Sequence, residues 1–238
     1  MAEYYDELSE ISTVLRLTTV SDDGLVEAIR GNAKTIGSIF GETEQVDELL
    51  AQYDARIAAL AEFAEGKTCV LGMSTSGSFN LLGNDGRCSL IDNEIGFDNI
   101  GAESATAGGS GRGGDSEGGS GRSGNGRGDS ANSENAETEA AGNSEGSSTP
   151  THGNEVSFEA VVALNPDYIF VMDRDSAISA AGAQLAPEIM ENELIMKTDA
   201  YQNGNMVILE NPGIWYLAEG GITSLGIMLE DLENALLN

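Results

Sequence analysis

The sequence predicts an α/β fold, a sandwich built on a mainly parallel sheet, from three observations. Thr68–Met73, Tyr168–Met172 and Met206–Leu209 are short apolar runs that read as strands. The second is continuously apolar and rich in β-branched and aromatic residues, as a strand covered on both faces must be. Segments with apolar residues three and four positions apart stand before and between these runs, and strands alternating with helices build parallel sheets.

Taken in order, Asp22–Phe40 reads as a helix with Val26, Ile29, Ala33, Ile36 and Phe40 on one stripe and Gly41 as its stop. Glu44–Ala64 is a second helix, with apolar residues at Val46, Leu49, Leu50, Tyr53, Ile57, Leu60 and Ala64 and Gly66 closing it. At ~1.5 Å per residue it is roughly 30 Å long, enough to cross a small domain or brace two lobes. Thr68–Met73 follows as a strand, then a Ser/Gly turn, a second short strand at Phe79–Leu82 and a turn at Gly83–Gly86. Arg87–Ile95 has helical spacing through Leu90, Ile91 and Ile95. That places Arg87 in a first turn, where a cation opposes the helix dipole, a hint that it serves another use.

Further on, Val156–Leu164 reads as a helix ended by Asn165-Pro166. Gln184–Asn192 is another, with Pro187 tolerated in its first turn. Asn211-Pro212-Gly213 and the aromatic pair Trp215-Tyr216 follow the Met206–Leu209 strand. A last helix covers Thr223–Leu236, with Leu225, Met228, Leu229, Leu232 and Leu236 on one side.

The 238 residues do not all contribute to a core. Residues 101–155 contain no Val, Ile, Leu, Met, Phe, Trp, Tyr or Cys and hold 15 of the 31 glycines. Such a tract buries too little apolar surface to offset the entropy of ordering it, so a disordered Gly/Ser/Glu-rich insertion is expected there. The core must then be assembled from both flanks. The formal charge is −29, and the tract's three arginines against nine acidic residues account for little of it. A field of that sign repels nucleic acid and anionic membranes, so nucleic-acid binding is not expected. It also repels anionic small ligands, unless the few arginines gather at one place.

Cys69 and Cys88 lack zinc-site spacing and read as buried thiols, one in a strand and one in a helix. No apolar run reaches the ~18 residues that span a bilayer. No charged and then apolar leader follows Met1, so no secretory signal is expected in the chain as given.

Catalysis has little to stand on. His152 is the only histidine, and neither a Gly-x-Ser-x-Gly elbow nor a phosphate loop occurs. The Gly-rich Gly108–Gly128 lacks a flanking strand and helix, and Asp92, Glu94 and Asp98 do not follow the calcium-loop pattern. No cofactor and no directly bound metal are expected. What remains is a set suited to gripping an anion: Arg87, Arg174, Tyr216 and His152. Arginine donates from a planar fork and stacks on π faces. Arg174 lies at the tip of the Tyr168–Met172 strand, where open α/β sheets place ligands. It has two readings, a structural cation neutralised by Asp173 and Asp175, or a grip on an anion. Trp215 and Tyr216 likewise read as packing or as the wall of a site.

Three segments together resemble the C-terminal lobe of ferric-siderophore-binding proteins of ABC importers: Asn165–Asp175, Trp215–Leu225, and Arg87 with Ile91, Ile95, Gly96 and Phe97. Ala33–Gly41, leading into the long helix, is similar to the same family's approach to its lobe-bridging helix. The resemblance implies a bilobed, monomeric extracytoplasmic receptor, periplasmic or a cell-surface lipoprotein, with no enzymatic activity and a membrane permease as partner. Residues 1–42 would be a remnant of the N-terminal lobe, which is then incomplete, 43–66 the lobe-bridging helix, and 67–100 with 156–238 the C-terminal lobe. It further implies a catecholate- or carboxylate-type ferric chelate held by Arg87, Arg174, Tyr216 and Trp215, with His152 at a position that reaches the iron in some members. Two alternatives accompany it: a remnant or interaction module that needs a separate N-lobe, or a corrinoid or haem receptor of the same fold. Cys88 and Ser89 replace the aromatic and glycine usual after Arg87, and the 101–155 tract replaces a short connection.

Overall fold

The computed structural model describes residues 4–18, 24–75, 78–84, 87–105, 154–155, 158–179 and 186–237. His152 and nearly all of the 101–155 tract lie outside the described residues.

Among the described residues six strands form one sheet: β1 (Thr68–Thr75), β2 (Ser78–Leu81), β3 (Asp98–Asn99), β4 (Asn154–Glu155), β5 (Tyr168–Asp173) and β6 (Met206–Ile208). Their order is β4-β2-β1-β5-β6, with β3 paired to the beginning of β1. β1, β5 and β6 are mutually parallel, and β2 returns antiparallel along the second half of β1. In the register of β1 on β5, Cys69 faces Tyr168 and Ser74 faces Asp173. The carboxyl ends of the two central strands therefore finish side by side.

Side chains along the strands alternate between two cores, as period-two geometry requires. Cys69, Leu71 and Met73 of β1, Phe170 and Met172 of β5, and Val207 of β6 face one helical layer. Val70, Ile169, Val171 and Ile208 face the other. The helices are α1 (Tyr5–Ile11), α2 (Leu25–Phe40), α3 (Thr43–Ala64), α4 (Phe158–Leu164), α5 (Arg174–Ala177), α6 (Ala186–Met190), α7 (Asp199–Gln202), α8 (Pro212–Leu217) and α9 (Ile222–Leu236). The first layer contains α2, α3, α8 and α9; α4, α6 and α7 contribute to the second. α1 buries none of its residues.

The long helices are held by specific contacts. α3 approaches α9 closely because Gly226 has no side chain, and a Cβ there would lie 2.4 Å from the Tyr53 hydroxyl. Arg56 of α3 clasps Glu233 of α9 through two hydrogen bonds of 2.7 and 2.8 Å, and Arg30 of α2 pairs with Asp54 of α3. α2 starts at Gly24, which has no side chain to cap it. Glu94 supplies the missing oxygen, accepting from the Val26 N–H at 3.1 Å. Gly41, in the left-handed region at φ 74°, closes α2.

Two sequence expectations change. The Arg87–Ile95 helix is reduced to a single π-helical turn at Leu90–Glu94, because Cys88 sits at φ 67° and breaks any continuous helix through it. Cys88, expected in a helix, is a buried free thiol in the turn before that segment, while Cys69 is a buried free thiol in β1 as expected. Trp215 and Tyr216, given no element from the sequence, lie in α8, whose first residue is Pro212. Among the described residues no helix is long and apolar enough to cross a membrane.

Candidate functional site

The site grows from the carboxyl ends of β1 and β5. Asp173 ends β5 and caps α5, accepting from the Ser176 N–H at 2.9 Å, the Ser176 hydroxyl at 2.8 Å and the Ala186 N–H at 3.0 Å. These three bonds turn the chain sharply and present Arg174 as the first residue of α5. Arg174 then donates from Nε to the Tyr216 hydroxyl at 3.0 Å and from Nη1 to Thr75 Oγ1 at 3.3 Å. Its counter-ion is Asp175, 3.6 Å away and buried. Of the two acids flanking Arg174, only Asp175 neutralises it.

Tyr216 is aimed by its neighbour. Buried Asp231 of α9 accepts from the Trp215 indole N–H at 2.9 Å, and from both the backbone and the side-chain amide of Asn211 at the start of α8. That pins Trp215 inward at 0 % exposure, so it belongs to the core and not to the wall of the site. The next residue along α8, Tyr216, is turned toward the sheet end. Its ring carries two guanidiniums, Arg87 at 4.3 Å and Arg174 at 5.6 Å from the centroid.

Arg87 reaches this ring from the turn before the Leu90–Glu94 segment, donating from Nε to the Tyr216 carbonyl at 3.3 Å. It therefore caps the carboxyl end of α8, where a cation is favoured, and does not oppose a dipole in a helix of its own. Among the described residues nothing accepts from its terminal amino groups.

Glu219, just past α8, stands beside Arg87. Burial pushes its carboxyl up to about 6, and the Arg87 charge pulls in the opposite direction.

Three of the five sequence-predicted site residues, Arg87, Arg174 and Tyr216, are thus brought together. Trp215 lies behind them, and His152 is outside the described residues. Thr75 and Glu219 escaped the sequence reading, whereas Asp175 was named there as a partner of Arg174. Thr75 sits past the predicted end of its strand, and single carboxylates carry no signal in so acidic a chain. Chemically, the site holds two permanent cations no more than about 10 Å apart, close to the Debye length at physiological ionic strength. An anion between them would relieve their mutual repulsion. Because the Tyr216 oxygen accepts from Arg174, its own proton remains to be donated. Among the described residues no group of three His, Cys, Asp or Glu side chains could hold a metal ion.

Comparison with known proteins places this geometry in context. The family model for periplasmic binding proteins matches residues 129–212. The petrobactin-binding protein YclQ of Bacillus subtilis is 26% identical over 99% of this chain and 60% of its own length. Its crystal structure superposes with a TM-score of 0.71 at 25% identity, covering 100% of this chain and 67% of that one. The ferric-anguibactin-binding protein FatB of Vibrio anguillarum is 24% identical over 97% of this chain and 59% of its own length. The structure of PiuA, an iron-uptake ABC transporter substrate-binding protein of Streptococcus pneumoniae, has a TM-score of 0.69 at 26% identity, over 98% of this chain and 68% of that one. The chain thus spans about three-fifths of the length of the curated relatives it matches. It has the α/β fold of the periplasmic binding proteins and is similar, along nearly its whole length, to members that bind siderophores.

Proposed function

We propose that this chain is the ligand-binding part of a ferric-siderophore importer, taking an anionic ferric chelate of catecholate or carboxylate type. The observation that carries this reading is the pair of guanidiniums, Arg87 and Arg174, stacked on one tyrosine ring at the carboxyl end of a parallel sheet. In a chain of net charge −29, two converging arginines with an aromatic platform are the chemistry an anionic, ring-bearing chelate requires. The similarity to petrobactin- and anguibactin-binding proteins supports the same class of cargo.

In this reading the chelator supplies the iron ligands and the protein supplies charge and stacking. The chain acts outside the cytoplasm as a monomer, without catalysis, and delivers its cargo to a membrane permease of the ABC type. The arrangement is bilobed, with α3 as a rigid connector and the β1–β6 sheet as the core of the C-terminal lobe.

The test is titration of a ferric tris-catecholate and of ferric citrate against tryptophan emission. Trp215 is the sole tryptophan and adjoins Tyr216 in α8, so an absorbing ferric complex quenches it by energy transfer. Saturable quenching is expected with at least one chelate, and none with any ferric chelate overturns the reading. A second reading is favoured by apolar surface near the N-terminus: Ile11, Ile39 and Phe40 are 82%, 60% and 74% exposed. A further lobe would cover such a surface, and binding would then need that lobe. Quenching restored only when a polypeptide carrying it is present would establish this reading.

A further inference from the structure

Thr75 ends β1, and the register of the sheet decides where its side chain goes. Ser74 lies opposite Asp173, so Thr75 and Arg174 are the next residues along the two parallel strands. Met73 and Met172, two residues earlier, pack against the layer that contains α8, and period-two alternation turns Thr75 to that same face. There its hydroxyl meets two charged groups. Arg174 Nη1 lies 3.3 Å from Oγ1, Asp175 Oδ1 lies 3.4 Å from it, and the two charged atoms are 3.6 Å apart. A guanidinium only donates and a carboxylate only accepts, whereas a hydroxyl does both. Thr75 therefore takes a hydrogen bond from the cation and gives one to the carboxylate. On the other side of the guanidinium, Nε donates to the Tyr216 hydroxyl at 3.0 Å. The group is planar and rigid, so two nitrogens held by separate oxygens fix its plane. Nη2 is left over, and among the described residues nothing accepts a hydrogen bond from it.

We propose that Thr75 is a positioning residue of the anion site, whose hydroxyl fixes the plane of Arg174 so that Nη2 is presented to an anionic chelate. The inference rests on the proposed binding of such a chelate at Arg174. Without the hydroxyl, Nη1 keeps only the carboxylate 3.6 Å away, and the cation is free to close on Asp175 as a direct, bidentate pair that occupies Nη2 as well. A ligand must then open that pair and reorder the side chain before it can bind. Ordering one long side chain in this way corresponds to roughly three- to tenfold in Kd.

The experiment compares Thr75→Val, which keeps the shape of the side chain and removes the hydroxyl, with Thr75→Ser, which keeps the hydroxyl. Kd for the ferric complex of a hexadentate tris-catecholate is read from Trp215 quenching in the full chain. Expected is a roughly three- to tenfold rise for Thr75→Val, and for Thr75→Ser a value within about twofold of wild type. In an Arg174→Ala background, Thr75→Val should change Kd by less than about twofold, because a residue that acts through Arg174 has nothing left to act on. An unchanged Kd for Thr75→Val, an equal loss in Thr75→Ser, or the same effect with and without Arg174 overturns the inference and leaves the siderophore reading standing. Absence of binding by every protein, the wild type included, overturns the two together. If Thr75→Val does not fold, nitrogen-15 resonances of the empty wild type decide. A guanidinium held at both Nε and Nη1 rotates slowly about the Nε–Cζ bond, so the Arg174 Nη protons should give separate resonances at low temperature. A single averaged resonance overturns the inference.

Discussion

Replacing Arg174 with Ala tests the site where its geometry is most constrained. The guanidinium is tied to Tyr216, Thr75 and Asp175 at 3.0, 3.3 and 3.6 Å, so it is held in place before any ligand arrives. A preordered cation loses little side-chain entropy on binding, and hydrogen bonds from a charged donor contribute about 1.5–3 kcal/mol each. At ~1.4 kcal/mol per tenfold, losing one such bond weakens binding by roughly 10- to 150-fold. The fold should suffer less. Asp175 keeps Thr75 as a partner at 3.4 Å, and an ion pair as long as 3.6 Å with a partly exposed arginine contributes about 1 kcal/mol or less. The assay is quenching of Trp215 by a ferric tris-catecholate at two salt concentrations, with thermal denaturation alongside. Arg174→Ala should raise Kd at least tenfold and flatten its salt dependence. Arg56→Ala is the control, because that guanidinium clasps Glu233 on the α3–α9 seam and should alter stability alone. A Kd for Arg174→Ala within twofold of wild type, or equal weakening in the control, refutes the assignment.

Three further outcomes follow from the packing. Gly226→Ala would ordinarily stabilise a helix by about 1 kcal/mol, but its Cβ meets the Tyr53 hydroxyl, so it should destabilise by roughly 1–3 kcal/mol. In denaturant melts the loss should shrink in a Tyr53→Phe background, and an additive double mutant would contradict the close approach. Asp231→Ala strips the acceptor from the Trp215 indole and from Asn211, costing about 1–3 kcal/mol per orphaned donor. Altered tryptophan emission and a lower Tm should report it. Burial pushes the thiols of Cys69 and Cys88 well above their ordinary range, for Cys69 with help from Asp92 and Asp98 and for Cys88 with help from Glu219. Neither should react with iodoacetamide at pH 8 until the protein unfolds. Because the folded thiols keep protons that unfolded ones release, their contribution to stability is present below ~8.5 and is lost as pH rises above it.

The alternation of apolar runs and helical stripes was legible in the sequence because burial on both faces leaves continuous apolar runs at β1, β5 and β6, and amphipathic stripes mark α2, α3 and α9. The position of Arg174 was legible too, since it follows the carboxyl end of a continuously apolar strand, where open α/β sheets place their ligands. Short elements were not. α5 and α7 have four residues each, too few for a period to show, and their caps, Asp173 and Thr198, act through side-chain oxygens whose partners only the folded chain supplies.

What the sequence alone determined is therefore the fold class and the charge that makes clustered arginines meaningful; it also supplied Arg87, Arg174 and Tyr216 as the residues now proposed to grip an anion. Their roles were decided by tertiary structure. Asp231, 16 residues beyond Trp215, turns that ring into the core and leaves its neighbour Tyr216 to face the sheet end. Cys88, with its positive φ, prevents a helix and carries Arg87 to the carboxyl end of α8. The physical reason is common to both. A side chain's direction depends on which distant group satisfies its hydrogen bonds or on a backbone angle that one residue adopts, and neither leaves a periodic trace in the chain.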